Sequence, residues 1–318
     1  MEEKLVVSSS PHIRSGATTR KIMLDVILAL VPAAIASVIV FGPQALLIIG
    51  VTIASCVLSE YICRRVMKRD NTIGDLSAVV TGLLLAFNLP VSINPIIAAF
   101  GGMVAIVVVK QMFGGIGQNF VNPALTARII LLNSFPTDMT TWVQPQSYLG
   151  DAVTTASPLG ILKAGGTVDQ LPSMLNMFVG NTAGCLGETC ALALILGGIY
   201  LVIRKVISPI IPLCYIGTAA VLSAVMGRNV LIDLLSGGLM LGAIFMATDY
   251  ATSPITPKGK VIFAIGCGII TMLIRQFGNL PEGVSYSIVV MNILVPLIDS
   301  ATRPVAFGKE PVKDEVQR

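Results

Sequence analysis

Apolar residues in this chain come in long runs rather than in alternating or striped patterns. Ten stretches are nearly free of charge: 21–41, 44–63, 74–90, 93–110, 122–134, 182–203, 209–227, 231–248, 261–279 and 284–301. A membrane-spanning helix needs about 20 predominantly apolar residues, so each run predicts a span. The fifth is short and follows the Gly-, Asn- and Pro-rich stretch Gly114 to Pro123, which predicts a broken or half-buried helix. Irregular backbone at membrane depth is tolerated only where it is buried in protein or lines a cavity.

Composition sharpens this pattern. The 318 residues are 54% hydrophobic and only 12% charged, with a mean hydropathy of +0.84. A soluble domain carries roughly 25% charge, so a soluble enzyme, a disordered chain and a nucleic-acid binder are excluded. The expected fold class is an all-α polytopic membrane protein with about ten transmembrane helices. The cations give the orientation. With the N-terminus in the cytoplasm, 17 of the 21 lysines and arginines face inward. Only Lys163 and Arg228 lie in outer loops, and Arg128 and Arg275 fall inside spans. Both termini are therefore expected in the cytoplasm, and the localisation is the cell membrane, multi-pass.

The expected organisation is a cytoplasmic segment 1–20, a first five-helix repeat 21–134, an extracytoplasmic loop 135–181, a second five-helix repeat 182–302 and a cytoplasmic tail 303–318. The first 20 residues hold no apolar core of a cleavable signal peptide. An odd number of spans per half gives the halves opposite topology. Each half ends in a Gly-rich, Pro-interrupted segment, Gly114 to Pro123 and Gly237 to Pro254. Two inverted five-helix repeats with paired broken helices are a transporter-like way to build a site at the midplane.

Metal chemistry finds no support. Cys56, Cys63, Cys185, Cys190, Cys214 and Cys267 form no CxxC, and His12 is the only histidine. These spacings suit small packing residues rather than a cluster or a haem. No dinucleotide fingerprint is present either, so no catalytic residue is assigned.

The 135–181 loop carries Asp151-Ala152-Val153-Thr154-Thr155-Ala156-Ser157-Pro158-Leu159-Gly160. On its residues alone this is a polar turn with a hydroxyl-rich helix cap. Pro158 keeps Ser157 out of the helical region, which predicts a hydroxyl presented on an extended segment rather than folded onto a helix. The stretch also resembles the Asp-x-x-Ser/Thr-x-Ala-Ser/Thr motif at which flavin transferases attach FMN as a phosphoester. Other segments join it in order: Ser8 to Ile13, Phe113 to Asn119 running into Asn122 to Arg128, Phe245 to Pro254, Arg275 to Gly278, and Pro281 to Asp299. Together they resemble the RnfD/NqrB family over residues 8–302, the flavin-bearing membrane subunits of the Rnf complex and of the Na+-translocating NADH:quinone reductase. The short N-terminal region favours the Rnf member of the pair, RnfD.

The resemblance implies electron transfer from reduced ferredoxin to NAD+, coupled to Na+ or H+ export. It implies one covalent FMN on Ser157, with Thr155 as the second-choice acceptor and Asp151 as the acidic residue of the motif, and one non-covalent riboflavin. It also implies partners: a flavin transferase, a second covalent-FMN subunit, and Fe–S subunits. Gly114 and Gly115 would let backbone approach a planar ring, and Asn119 and Asn122 would serve its polar edge. Arg128 would contact flavin or a buried partner. The alternatives left open are the NqrB component of the Na+-translocating NADH:quinone reductase, a non-redox inverted-repeat transporter, and a scaffold for catalytic partners. Among membrane acids, Asp25 is expected to pair with Lys21 one turn away, and Glu188 to be solvated at an outer helix end.

Overall fold

The computed structural model describes residues 16–146, 154–167 and 170–304. Asp151, the Ser8–Ile13 segment with His12, and most of the 303–318 tail lie outside the described residues. The order is α1 (Thr19–Phe41), α2 (Pro43–Val66), α3 (Ser77–Phe87), α4 (Pro95–Gln111) and α5 (Pro123–Ser134). Next come α6 (Pro136–Thr140), β1 (Trp142–Val143), β2 (Thr154–Thr155), α7 (Pro158–Lys163) and α8 (Met174–Val179). Last come α9 (Ala191–Ile203), α10 (Ile210–Val225), α11 (Val230–Leu235), α12 (Leu239–Leu241), α13 (Pro257–Phe277) and α14 (Val284–Ala301). The final turns of α4, from Ala105, and the Gly242–Met246 continuation of α12 are π-helical. Among the described residues four helices, α1, α2, α13 and α14, are long and apolar enough to cross a membrane, and shorter apolar helices accompany them. The chain is a multi-pass membrane protein.

Helix starts follow local chemistry. Proline at the first turn begins α2, α4, α5, α7 and α13, where its missing N–H costs nothing. Asn94, Asn122, Ser157 and Thr256 cap α4, α5, α7 and α13 through side-chain oxygens. Helices α1 and α9 pack together, α2 packs on α3 and α4, and α10 packs on α13. Tyr215, Thr271 and Ser287 link α10, α13 and α14 by hydroxyl bonds of 2.6 to 3.0 Å within the core.

Two expected spans differ from observation. The 182–203 run is helical only from Ala191. Before it, the backbone runs irregularly and pairs with another break: Leu186 N–H donates to Leu89 C=O and Gly187 N–H to Phe87 C=O, both at 3.0 Å. Ser37 Oγ donates to Leu186 C=O. Gly187 is needed here because a Cβ would collide with the Phe87 side chain. The 231–248 run is interrupted at Ser236–Gly238, where Gly237 takes φ +68°. Apolar composition alone reads both segments as helix, and the demand for paired backbone is met by a neighbouring break at the first and by the Arg275 and Glu282 side chains at the second.

Gly197 sits where α9 crosses α1, and its Cβ would strike the Ala29 carbonyl. Gly197→Leu should lower stability by about 1–3 kcal/mol or more, read as loss of a monodisperse peak and a lower midpoint in detergent. Gly50→Leu, at a position with open space around it, should leave both unchanged.

Candidate functional site

One cavity lies where α1, α3 and α9 meet the connection between α4 and α5. Ser77, Lys110, Asn119, Asn122 and Asp249 give its polar edge, and Met23, Leu84 and Phe245 give apolar walls. Asn122 caps α5 by accepting from the Ala124 and Leu125 amides, and its amide donates to Met246 C=O at 3.3 Å. Asn119 donates to Val121 C=O at 3.1 Å. Gly117, with φ +80° and open space where a Cβ would go, lines the cavity. Gly114 and Gly115 do not line it. They take φ +125° and +109°, and a Cβ at either would meet Gln118 or Arg64 respectively, so their freedom serves the turn itself.

Lys110 is 3% exposed and binds Glu60, which is fully buried, at 3.0 Å. Thr72 and Gln111 complete the Glu60 carboxylate, and Ser77 Oγ accepts a further Lys110 bond at 2.6 Å. The charge bias places Lys110 on the cytoplasmic side but does not reveal its burial against Glu60. The available signal was that both lie at the ends of apolar runs, where an acid and a base can neutralise one another.

A second cleft lies at the end of the bundle that carries β1, β2, α7 and α8. Ser157, Trp142, Glu188, Thr189, Ser236 and Glu282 line it. Ser157 has extended backbone, φ −67° and ψ 156°, in line with the effect of Pro158. Its hydroxyl, however, is folded onto a helix: Oγ accepts the Gly160 amide at 3.2 Å and caps α7. Expectation treated Pro158 only as a block, whereas proline at the first position also starts a helix whose cap is the residue before it. Thr155 lies in β2, exposed, opposite Trp142. Thr189 Oγ1 and Ser236 Oγ are buried with no hydrogen-bond partner among the described residues.

Arg128, on α5, anchors the floor of this region. It binds Glu282 at 2.5 Å, Glu188 at 3.1 Å, Asn88 at 2.9 Å and Ser285 at 3.0 Å. Glu282 lies in the turn between α13 and α14. Burial opposes its ionisation, but Arg128 and Arg275 outweigh burial and hold its carboxyl below the ordinary carboxylate value. Glu188 is buried, not solvated as expected, because the irregular stretch before α9 carries it inward to Arg128. Asp25 also departs from expectation. It pairs with Arg204 at 3.2 Å and accepts from Tyr200 at 2.9 Å, both reached through the α1–α9 packing rather than along its own helix.

The expected site residues thus divide between two places. Asn119 and Asn122 belong to the first cavity, Ser157 to the second cleft, and Arg128 lies beneath the latter. Helix α5 connects them, with Asn122 and Arg128 separated by about 9 Å of helix rise. Among the described residues no group of acids, cysteines and histidine could hold a metal ion.

Arg128→Gln leaves two buried carboxylates facing one another, and breaking a buried pair costs about 3–5 kcal/mol. The variant should unfold at markedly lower denaturant. Adding Glu282→Gln should recover part of the loss, so that a double-mutant cycle gives a coupling well above 1 kcal/mol. Independent losses would mean that Arg128 and Glu282 do not act as a unit.

The sequence profile of the NQR2, RnfD, RnfE family matches residues 6–308. The chain is similar to the D component of the Na(+)-translocating ferredoxin:NAD(+) oxidoreductase complex of Acetobacterium woodii, with 48% identity covering 99% of each chain. It is 45% identical to the D component of the proton-translocating ferredoxin:NAD(+) oxidoreductase complex of Clostridium ljungdahlii, covering 95% of this chain and 96% of that one. Identity to the D component of the ion-translocating oxidoreductase complex of Stutzerimonas stutzeri is 39%, over 91% and 92%.

Proposed function

The chain belongs to the NQR2, RnfD, RnfE family, and from that premise we propose that it is the flavin-carrying RnfD component of an ion-translocating ferredoxin:NAD+ oxidoreductase. The names of its relatives over nearly their full length support RnfD rather than the quinone-reductase component or a non-redox transporter. Those names include both a sodium and a proton enzyme, so the reading is ion translocation of either kind. Such an enzyme needs further subunits for ferredoxin, NAD+ and Fe–S clusters, and a flavin transferase to modify this one.

The observation that carries the flavin reading is the environment of Ser157. Its oxygen is used only as an acceptor, from Gly160 N–H. Replacing the hydroxyl proton by phosphorus would leave that cap bond in place. The cleft beside it offers two unpartnered buried hydroxyls, Thr189 and Ser236, and the chain's one tryptophan, Trp142. These suit a polar ring edge and an aromatic face. Thr155, in the β2 pair, is the second acceptor in reach of a transferase. The acid at 151 is taken as the motif's recognition residue.

The first cavity is the proposed place of a non-covalent riboflavin. Asn119, Asn122 and Ser77 would hold polar atoms, and Gly117 would let the backbone lie against a ring. Flavin in either place supplies one-electron and two-electron redox chemistry. Arg128 holds the wall between the two places by binding Asn88 at the end of α3 and the acids at the far end.

Ten crossings in two inverted five-helix halves, with both termini in the cytoplasm, complete the proposal. Its support is the α1–α9 pairing and the matching α2–α4 and α10–α13 pairings, together with the charge bias of the loops. Cysteine at position 167, exposed beside α7, should react with an impermeant reagent in intact cells when the six native cysteines of the chain are replaced. Reaction only after lysis would reverse the orientation.

The denatured wild-type chain should fluoresce in a gel as a covalent flavoprotein. Ser157→Ala should abolish that fluorescence and Ser157→Thr should keep it. Fluorescence that survives Ser157→Ala and vanishes with Thr155→Ala would move the attachment to Thr155.

A further inference from the structure

In the orientation proposed above, on which this inference rests, only Lys163 and Arg228 face outward from loops, and both line one cleft. The third cation there is Arg275, from within α13, only 2% exposed. Leu159, Leu162 and Pro281 form its apolar sides. Positive-inside bias disfavours cations at this end of a membrane protein, so three around one opening call for a physical reason.

Their pairing is incomplete. Arg228 binds Asp233 at 2.7 Å. Arg275 donates only to the carbonyls of Asp233 and Ser236, and its Nε is buried without a partner among the described residues. Among the described residues Lys163 donates only to the carbonyls of Arg275 and Gly278, which end α13. Neither Arg275 nor Lys163 makes an ion pair among the described residues. Around this cleft and the neighbouring Ser157 cleft stand the cations Arg128, Arg228, Arg275 and Lys163 and the carboxylates Glu188, Glu282 and Asp233. Lys163 and Arg275 are the two cations of this cleft left without a carboxylate partner among the described residues.

We propose that this cleft binds one phosphodiester monoanion, the headgroup phosphate of an anionic membrane phospholipid. The depth fits: α13 has 21 residues, about 30 Å of helix, which matches the hydrocarbon thickness. Its C-terminal end therefore lies at headgroup level, and Phe277 is 76% exposed beside it, a suitable neighbour for acyl chains. A phosphate would pair with Lys163, with the charge of Arg275 behind it. Lys163 already neutralises the carbonyl end of α13, so the helix end does not repel the anion. A flavin phosphate on Ser157 is the other source of the same chemistry, since Leu159 borders both clefts.

The test uses the assembled membrane complex. Purified from phosphatidylglycerol-containing membranes and analysed by native mass spectrometry, it should retain phosphatidylglycerol on this chain. Its thermal midpoint should rise in phosphatidylglycerol nanodiscs relative to phosphatidylcholine nanodiscs. Lys163→Gln should weaken retention roughly fivefold, the value of about one cation at a membrane surface, and Lys163→Arg should restore it. Equal retention in wild type and Lys163→Gln, or no preference over phosphatidylcholine, would overturn the proposal. So would phosphatidylglycerol binding that appears only in Ser157→Ala, because the cleft would then belong to the flavin phosphate. Lipid retention unchanged in Ser157→Ala supports the lipid site whether or not Ser157 carries flavin.

Discussion

Backbone that leaves a helix inside hydrocarbon has to find its hydrogen-bond partners within the protein. The interior of this chain is organised by that demand. The break after α3 and the irregular stretch before α9 satisfy each other through the Leu186–Leu89 and Gly187–Phe87 bonds. The break between α11 and α12 is met by Arg275, which donates to the Asp233 and Ser236 carbonyls, and by Glu282, which accepts the Gly238 amide. Side chains that serve backbone in this way must be buried, and those that are charged must then be balanced.

Three cations are balanced across elements rather than along them. Arg128 gathers acids from the stretch before α9 and from the α13–α14 turn, Lys110 reaches Glu60 on α2, and Arg204 reaches Asp25 on α1. Each such pair ties two segments far apart in sequence, and its loss exposes an uncompensated charge. The Arg128 network lies between the cavity at Asn119 and the cleft at Ser157. Two polar places are thereby held apart by about two turns of α5, within one protein frame.

The sequence made the long helices legible because an uninterrupted apolar run admits few other readings. The 284–301 run coincides with α14, and 209–227 nearly with α10. It misled at 182–203 and 231–248, where apolar residues are present but the backbone is broken, because hydropathy records burial and not conformation. Asn122 and Pro123 were readable as a helix start by their cap chemistry. The partners of Asp25, Glu188 and Arg128 were not, since each is set by packing between elements more than 50 residues apart in the chain. At Ser157 the extended backbone was legible from Pro158, whereas the cap bond to Gly160 needed the short helix α7 to be recognised.

The central claim is that Ser157 is the attachment point of a flavin at the end of the bundle opposite the Asn119 cavity. Proteolytic peptides of the native complex, sequenced by mass spectrometry, test it most directly. The account predicts the mass of one FMN phosphoester on Ser157, with Thr154 and Thr155 unmodified. A redox-active complex whose peptides across 151–160 carry no added mass would contradict it.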